Sequence, residues 1–518
     1  MVPRLKGDED SSCGSPEGRI NFHSLIMNRF LISVLVILVM AAVLRGEEIR
    51  LTLPEAVARA RSHSVDAAAA LAELQGAYWE YRSYRADLLP EISFTATVPS
   101  YRRQYSPYMN DAGDYSFVRN NYLDVSGELS LSQNIWLTGG KVSLSTSLDF
   151  MRQFGSGAYN RFMSIPVALT LSQPVFGTNH IRWNRRIEPV RYEEAKAAYL
   201  SATEEVAMKS VSLFFSLLMA RENHSIAFSN LSNAEKLYRV AVEKREMGHI
   251  SRNDLLQMEL NLLDARSALT DSESALRSGM FELRAFLDYG EHDEIVPVLP
   301  DSVPDVEVSY AEAYDKAMSR NKFASSMRRR QLEADYAVAS AKGAMREISL
   351  FAQVGFTGNA ADFAGAYRPS GLRDNSVVEV GVSVPILDWG KRRGRVKVAE
   401  SNRRLTEASI RREAMEFGQD LYVLVERCRN QRRQVEIGSR ARDIALARYD
   451  SNVQTYLIGK ISTLDLNDSR VSKDEALRQY IDRLYLYWYY TYQLRSVTLW
   501  DFVKDSGIDA DFESVVRQ

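Results

Sequence analysis

YRVAVEKREMGHISRNDLL, residues 238–256, and YDSNVQTYLIGKISTLDLND, residues 449–468, decide the fold. Laid over one another at an offset of 211, Tyr238 meets Tyr449, Gly248 meets Gly459, Ile250 meets Ile461, Ser251 meets Ser462 and Asp254 meets Asp465. One register serving five positions is the mark of an internal repeat. Each stretch reads as a tight corner between two helices. The glycine takes the left-handed conformation that ends a helix at no side-chain cost. The serine three residues later caps the next helix, and Asp254 and Asp465 stand where a capping box usually carries Glu or Gln.

Outward from the corners the chain is helical. Val190 to Met247 holds neither Gly nor Pro, and its 58 residues make a helix of roughly 87 Å at 1.5 Å per residue. A stripe at alternating steps of four and three runs through Val206, Ser210, Leu213, Leu217, Ala220 and His224, and the return helix answers with Leu262, Ala265, Leu269, Ser272, Leu276, Gly279 and Leu283. That spacing predicts coiled-coil packing, with small residues allowing close approach. Glu55 maps to Glu312 at 257 and Glu91 to Glu347 at 256, but Pro174 maps to Pro385 at 211. The first copy therefore carries 45 extra residues between Glu91 and Pro174. Residues 288–308, with Pro297, Pro300 and Pro304, read as an extended connector.

Between the helices the period drops to two. Segments 92–98, 123–131, 142–150 and 165–171 alternate in the first copy, and 348–356 and 378–384 in the second. One face is Ile, Leu, Val and Phe; the other is mostly Ser, Thr, Gly, Asp, Glu and Gln, as in Ser143, Ser145, Ser147 and Asp149. A transmembrane barrel needs this pattern, lipid outside and water inside. A soluble sandwich strand shows the same period, so the barrel reading leans on segment length near ~9–11 residues, the long polar loops and an export signal. Four to six strands cannot close a barrel, since about eight is the small end, and an open edge cannot face lipid. The chain must then oligomerise around a shared barrel. The surplus residues fit one extra hairpin around Thr138-Gly139-Gly140.

The export signal starts at Met27. Arg29 is followed by a 15-residue apolar run, Phe30–Leu44, with Gly46 as a cleavage position. Its length suits a signal peptide rather than a membrane span. Residues 1–26 are polar and lie upstream of that start. The charge balance, 65 Lys+Arg against 67 Asp+Glu, argues against a nucleic-acid binder. Cys13 and Cys428 are too few for a disulfide framework. No metal-ligand spacing, P-loop, dinucleotide fingerprint or nucleophile elbow occurs, so neither cofactor nor enzyme activity is expected. The expected organisation is a leader over 1–46, a first repeat over 47–304 with strands near 91–174 and a tip at 247–252, a second repeat over 305–500 with strands near 348–385 and a tip at 457–463, and a tail over 501–518.

The duplicated plan, the SQPVFG and SVPILDWG strand-to-helix junctions and the two corners resemble the TolC-like outer-membrane efflux channels over nearly all of residues 48–500. The resemblance implies a mainly α fold with transmembrane β structure: a homotrimer with a long antiparallel coiled-coil tunnel and a shared β-barrel in outer-membrane lipid. It implies an exit duct that conducts passively, in tripartite efflux or type I secretion, with a large periplasmic portion. Its partners would be a periplasmic adaptor and an inner-membrane pump. The family's usual four strands per chain give a twelve-stranded barrel; the additional alternating segments here depart from that. The family docks its adaptor at the tips, which places Met247, Gly248, His249, Ile250 and Ser251 with Ile458, Gly459, Lys460, Ile461 and Ser462 there. Asp465 and Asp468 match aperture acids, Asp254 is the first-tip equivalent, and Tyr456 matches a tyrosine that helps lock the closed state. Ile461 stands where the family carries that tyrosine's arginine partner. For Asp465 the plainer role is capping alone.

The competing reading is a periplasmic coiled-coil adaptor or scaffold without a pore, although adaptors generally carry one hairpin per chain. Two basic clusters, Arg182, Arg185 and Arg186, then Lys391, Arg392, Arg393, Arg395 and Lys397, read as a solvated collar below the bilayer in preference to a polyanion site. His224 and the Tyr485–Tyr492 aromatics read as helix packing.

Overall fold

The computed structural model describes residues 48–517 except 110–112, 156–157, 301–302, 306, 346, 384–386, 458–459 and 462; the leader expected over 1–46 lies outside the described residues. One order of elements occurs twice. β1 (Glu48–Leu51) leads into α1 (Leu53–His63) and α2 (Val65–Ala86), and after four strands come α3 (His180–Glu246) and α4 (Arg252–Leu287). β6 (Glu294–Pro297) leads into α5 (Tyr310–Arg320) and α6 (Lys322–Gly343), and after two strands come α8 (Lys391–Leu457) and α9 (Thr463–Thr498). Matching helices have equal lengths: 11, 22, 67 and 36 residues.

Local chemistry sets these boundaries. Thr52 and Glu55 form a capping box at the start of α1, with the Glu55 carboxylate accepting from the Thr52 N–H at 2.9 Å and from its hydroxyl at 2.8 Å. Ser309 caps α5 by accepting from the Glu312 N–H. The first long helix begins earlier than the absence of proline suggests. α3 starts at His180, capped by Asn179, and runs through Pro189. A proline inside a helix forfeits one hydrogen bond and costs about 3 kcal/mol. Burial of Ile187 on one side and ion pairing of Arg191 and Glu194 on the other hold the turn helical.

The strands β2 (Glu91–Met109), β3 (Tyr115–Ile135), β4 (Gly140–Gln153), β5 (Tyr159–Pro174), β7 (Glu347–Ala360) and β8 (Arg373–Ser383) form one antiparallel sheet in the order β2-β3-β4-β5-β7-β8. All six alternating segments fall in it, apart from Val384, which lies outside the described residues. The register aligns like with like: Ile92 opposite Leu131, Leu131 opposite Leu144, Leu144 opposite Leu169, and Leu169 opposite Val354. The next row reads Ser93, Ser130, Ser145 and Ala168, with the Ser93 and Ser130 hydroxyls 2.8 Å apart. One face is hydrocarbon and the other polar. The hydrocarbon face is bare in a single chain: Phe94 is 70% and Val354 58% exposed. Between β7 and β8 a short helix α7 (Phe363–Ala366) folds back, and the Ser164 hydroxyl donates to the Ala366 carbonyl at 2.5 Å.

The core lies at mid-height of the helices. Leu53, Ala56, Val57 and Ala60 of α1, Val211, Phe214, Leu217 and Leu218 of α3, Leu283 and Leu287 of α4, and Ile481, Leu484 and Tyr487 of α9 form one buried cluster. α5 fills the corresponding place against Leu421, Leu424 and Val425 of α8 and Leu494 of α9. The aromatics Tyr485, Tyr487, Trp488 and Tyr492 are part of this packing, and His224 Nδ1 lies 3.3 Å from the Ser272 hydroxyl on the facing helix. Residues 288–308 are more than an extended link: β6 pairs in parallel with β1. Residues 501–518 also carry structure. β9 (Trp500–Asp501) pairs with β10 (Ser506–Gly507), and α10 (Phe512–Val516) packs on α2 and beside Tyr199 of α3.

Candidate functional site

The first tip is built from backbone bonds. α3 ends with the Gly248 N–H donating to the Arg245 carbonyl at 3.0 Å and the His249 N–H donating to the Lys244 carbonyl at 2.8 Å. Gly248 has φ of 74°. This is the paired-bond Schellman closure, which requires a residue content at positive φ. The Arg245 guanidinium then donates to the Ile250 carbonyl at 3.1 Å. Ser251 caps α4 reciprocally with Asp254: the Asp254 N–H donates to the serine hydroxyl at 3.1 Å, and the Asp254 carboxylate accepts from the Ser251 hydroxyl at 2.7 Å and its N–H at 3.0 Å. The Ser251 hydroxyl, then its N–H, hold the Asp254 carboxyl below the usual carboxylate range. Met247 and His249 are exposed at the apex and Ile250 is half-buried.

The second tip repeats the same bond 211 residues on: the Lys460 N–H donates to the Thr455 carbonyl at 3.1 Å. Ile458, Gly459 and Ser462 fall outside the described residues, and Tyr456 lies in the last turn of α8. Lys460 is exposed and Ile461 half-buried. Asp465 sits in the first turn of α9 and is exposed. Asp468, one turn further, pairs with Arg448 of α8 at 2.7 Å. Arg448 escaped the sequence reading, yet a signal for it exists. Residues 448 and 468 are equidistant from the corner at 458, and in an antiparallel hairpin such residues face each other. The first hairpin has Leu237 and Gln257 at the matching positions, so the pair belongs to one tip only.

A charged cluster lies higher, where α1, α3 and α9 meet. Glu204 is 1% exposed and accepts from Arg61 at 2.5 Å and from Arg495 at 3.1 Å; Arg495 also pairs with Asp501 at 2.6 Å. Every carboxylate in it faces a guanidinium, which is a structural network rather than an acid–base pair. Burial pushes the Cys428 thiol up to about 12, so it is chemically quiet. No cluster of metal-ligand type occurs among the described residues. No described helix is long and apolar enough to cross a membrane.

Residues 56–287 match the family model described as outer membrane efflux protein. No curated protein sequence matches the chain. Among solved structures, the Campylobacter jejuni CmeC outer membrane channel is similar at 17% identity and a TM-score of 0.62, covering 90% of this chain and 88% of that one. The Vibrio cholerae outer membrane protein VceC follows at 13% identity and 0.59, covering 88% and 97%. The open state of the Neisseria gonorrhoeae MtrE outer membrane channel gives 13% identity and 0.56, covering 88% and 91%. At these identities the likeness is one of fold.

Proposed function

We propose, from the membership of residues 56–287 in the outer membrane efflux protein family, that three copies of this duplicated chain form an exit duct for efflux or type I secretion. The duct conducts passively across the periplasm and outer membrane, and its tips meet an adaptor and an inner-membrane pump. The observation that carries this is the sheet: a bare hydrocarbon face, with β2 and β8 as edges that no described strand covers. Such a sheet is stable in lipid only when closed. A pore-less scaffold leaves that face and both edges without a partner.

The geometry supports the stoichiometry. In each chain α2 packs on α3, α3 on α6 and α6 on α8, four helices in a row above the core. Three chains give a ring of twelve helices, about 110 Å round at 8–10 Å per helix. Eighteen strands about 4.8 Å apart and tilted about 40° span roughly 110 Å, whereas twelve span roughly 75 Å. Six strands per chain therefore let barrel and tunnel meet at one diameter. The expected product is a heat-stable trimer in outer-membrane extracts that opens ion-conducting pores in planar bilayers; a water-soluble monomer would refute the duct.

At the periplasmic end Asp465 and Asp468, repeated threefold, form an acidic aperture, with Asp254 on the neighbouring tip and Tyr456 beside it. The apical residues Met247 to Ser251 and Ile458 to Ser462 offer the adaptor surface. Asp465→Asn with Asp468→Asn is expected to weaken block of the pore by multivalent cations; unchanged block removes the aperture role.

A further inference from the structure

Beneath the strand-to-helix junction the structure holds a basic groove that the duct does not use. It lies between α3 and α6, has a volume of about 590 Å³, and is walled by Arg185, Arg186, Pro189, Arg328 and Leu332. Its one carboxylate, Glu193, is already bonded to Lys196 at 2.6 Å. The ion pairs nearest it on these helices join Glu188, Glu194 and Glu333 to Arg191 and Arg329; among the described residues no ion pair takes in Arg185, Arg186 or Arg328. Three guanidinium groups thus line the groove without an ion-pair partner among the described residues, against one carboxylate that is already engaged.

Arg186 and Pro189 stand eleven residues, three turns, before Ala197 and Leu200 on the same face of α3. Those two are covered by Leu499 and the C-terminal segment. Just above the groove runs a band of exposed aromatic and apolar side chains: Trp136, Leu137 and Phe176, with Trp389 at 89% exposure. The guanidinium of Arg185 stacks on Trp136 at 4.3 Å and that of Arg186 on Trp183 at 5.1 Å. Indole at the membrane–water interface is the usual belt of a membrane protein. Arg185 lies five residues into α3, about 8 Å below its start, which is headgroup depth for a bilayer whose polar zones are roughly 5–8 Å thick.

Resting on the outer-membrane placement above, we infer that this groove binds the phosphodiester headgroup of an anionic phospholipid in the periplasmic leaflet. The phosphate seats between Arg185 and Arg186, Arg328 closes the lower end, and Trp136 and Trp183 contact the glycerol and upper acyl region. The groove fixes the height and rotation of the duct in the membrane.

The test uses the full chain in phosphatidylcholine vesicles holding a minority of phosphatidylglycerol, with bromine placed on the chains of one lipid or the other and tryptophan fluorescence as the readout. Wild-type protein is expected to be quenched preferentially by brominated phosphatidylglycerol, with roughly fivefold preference per engaged arginine. The R185Q/R186Q/R328Q variant is expected to lose that preference while R185K/R186K/R328K keeps most of it; should the first fail to assemble, R186Q alone against the lysine variant carries the comparison. Equal quenching by both lipids in the wild type, or preference retained in the glutamine variants, overturns the groove. Full competition by inorganic phosphate assigns it to a soluble anion and overturns the lipid reading. Failure to enter vesicles of either composition strikes the membrane placement instead.

Discussion

Glu204 shows how much one side chain holds. It is the shared carboxylate of Arg61 and Arg495, from α1 and α9, and sits on α3 among buried apolar neighbours. Glu204→Leu leaves Arg61 without a counter-charge and Arg495 with Asp501 alone; breaking a buried pair costs at most about 3–5 kcal/mol. A clear fall in the thermal unfolding midpoint in detergent is expected. At the tip the energies are smaller. Gly248→Ala has open space for its methyl but must hold a left-handed backbone, a strain of about 1–2 kcal/mol; faster amide exchange at 245–249 would report it. Asp254 adds a pH dependence. Its carboxyl is depressed in the folded hairpin, so its capping contribution is present above the unfolded value near 3.9 and is lost as pH falls through the lower folded value. Tip exchange should therefore be flat through neutral and mildly acidic pH and rise only in stronger acid, a rise absent from Asp254→Ala. The glycine, the serine cap and the aspartate were legible in the sequence because each is a local backbone requirement. The Arg448–Asp468 pair was not, because it depends on how the two arms of the hairpin face each other. Being exposed on both sides, it is worth at most about 1 kcal/mol.

Among elements, the coiled-coil stripe brings Gly279 of α4 against Leu217 of α3, where an added Cβ would stand 3.6 Å from the Leu217 Cα. That is ordinary contact, so Gly279→Ala should be tolerated. Gly279→Leu has nowhere to place its branch and should part the arms, read as new protease cleavage between 217 and 283. The helix and strand types were legible because apolar residues change period from about 3.5 to two. The upper end of α3 was not. Pro189 suggests a later start for α3, and only packing of Ile187 and the paired charges around it keep α3 helical through a residue that forfeits a hydrogen bond. The pairing of β6 with β1 was hidden for a different reason: it is a contact of residues 294–297 with residues 48–51, and four-residue strands carry too little pattern to announce a partner.

For the whole molecule, closure is the issue. A single chain exposes an apolar sheet face, two strand edges and apolar residues such as Leu256, Leu260 and Leu263 along its lower hairpins. The need for a partner could be argued from strand number alone; the match of six strands to four helices needed the sheet order. If three chains close the barrel, β2 of one must pair with β8 of the next. Cysteines placed in a staggered series around Phe94 and Val380 should then give, for one register, an oxidant-dependent trimer on denaturing gels. A series that yields only monomers would refute that closure.

The C-terminal segment has a further consequence. The Gln75 side-chain amide donates to the Val516 carbonyl at 3.5 Å, and Phe512 lies edge-on to Tyr199. The first of these contacts joins α2 to the C-terminal segment across more than four hundred positions. A chain delivered with its amino end first must leave α2 uncovered until the final residues arrive. Closing that seam is a late event in biogenesis, and a bulky fusion after Gln518 would delay assembly itself before it disturbed any transport.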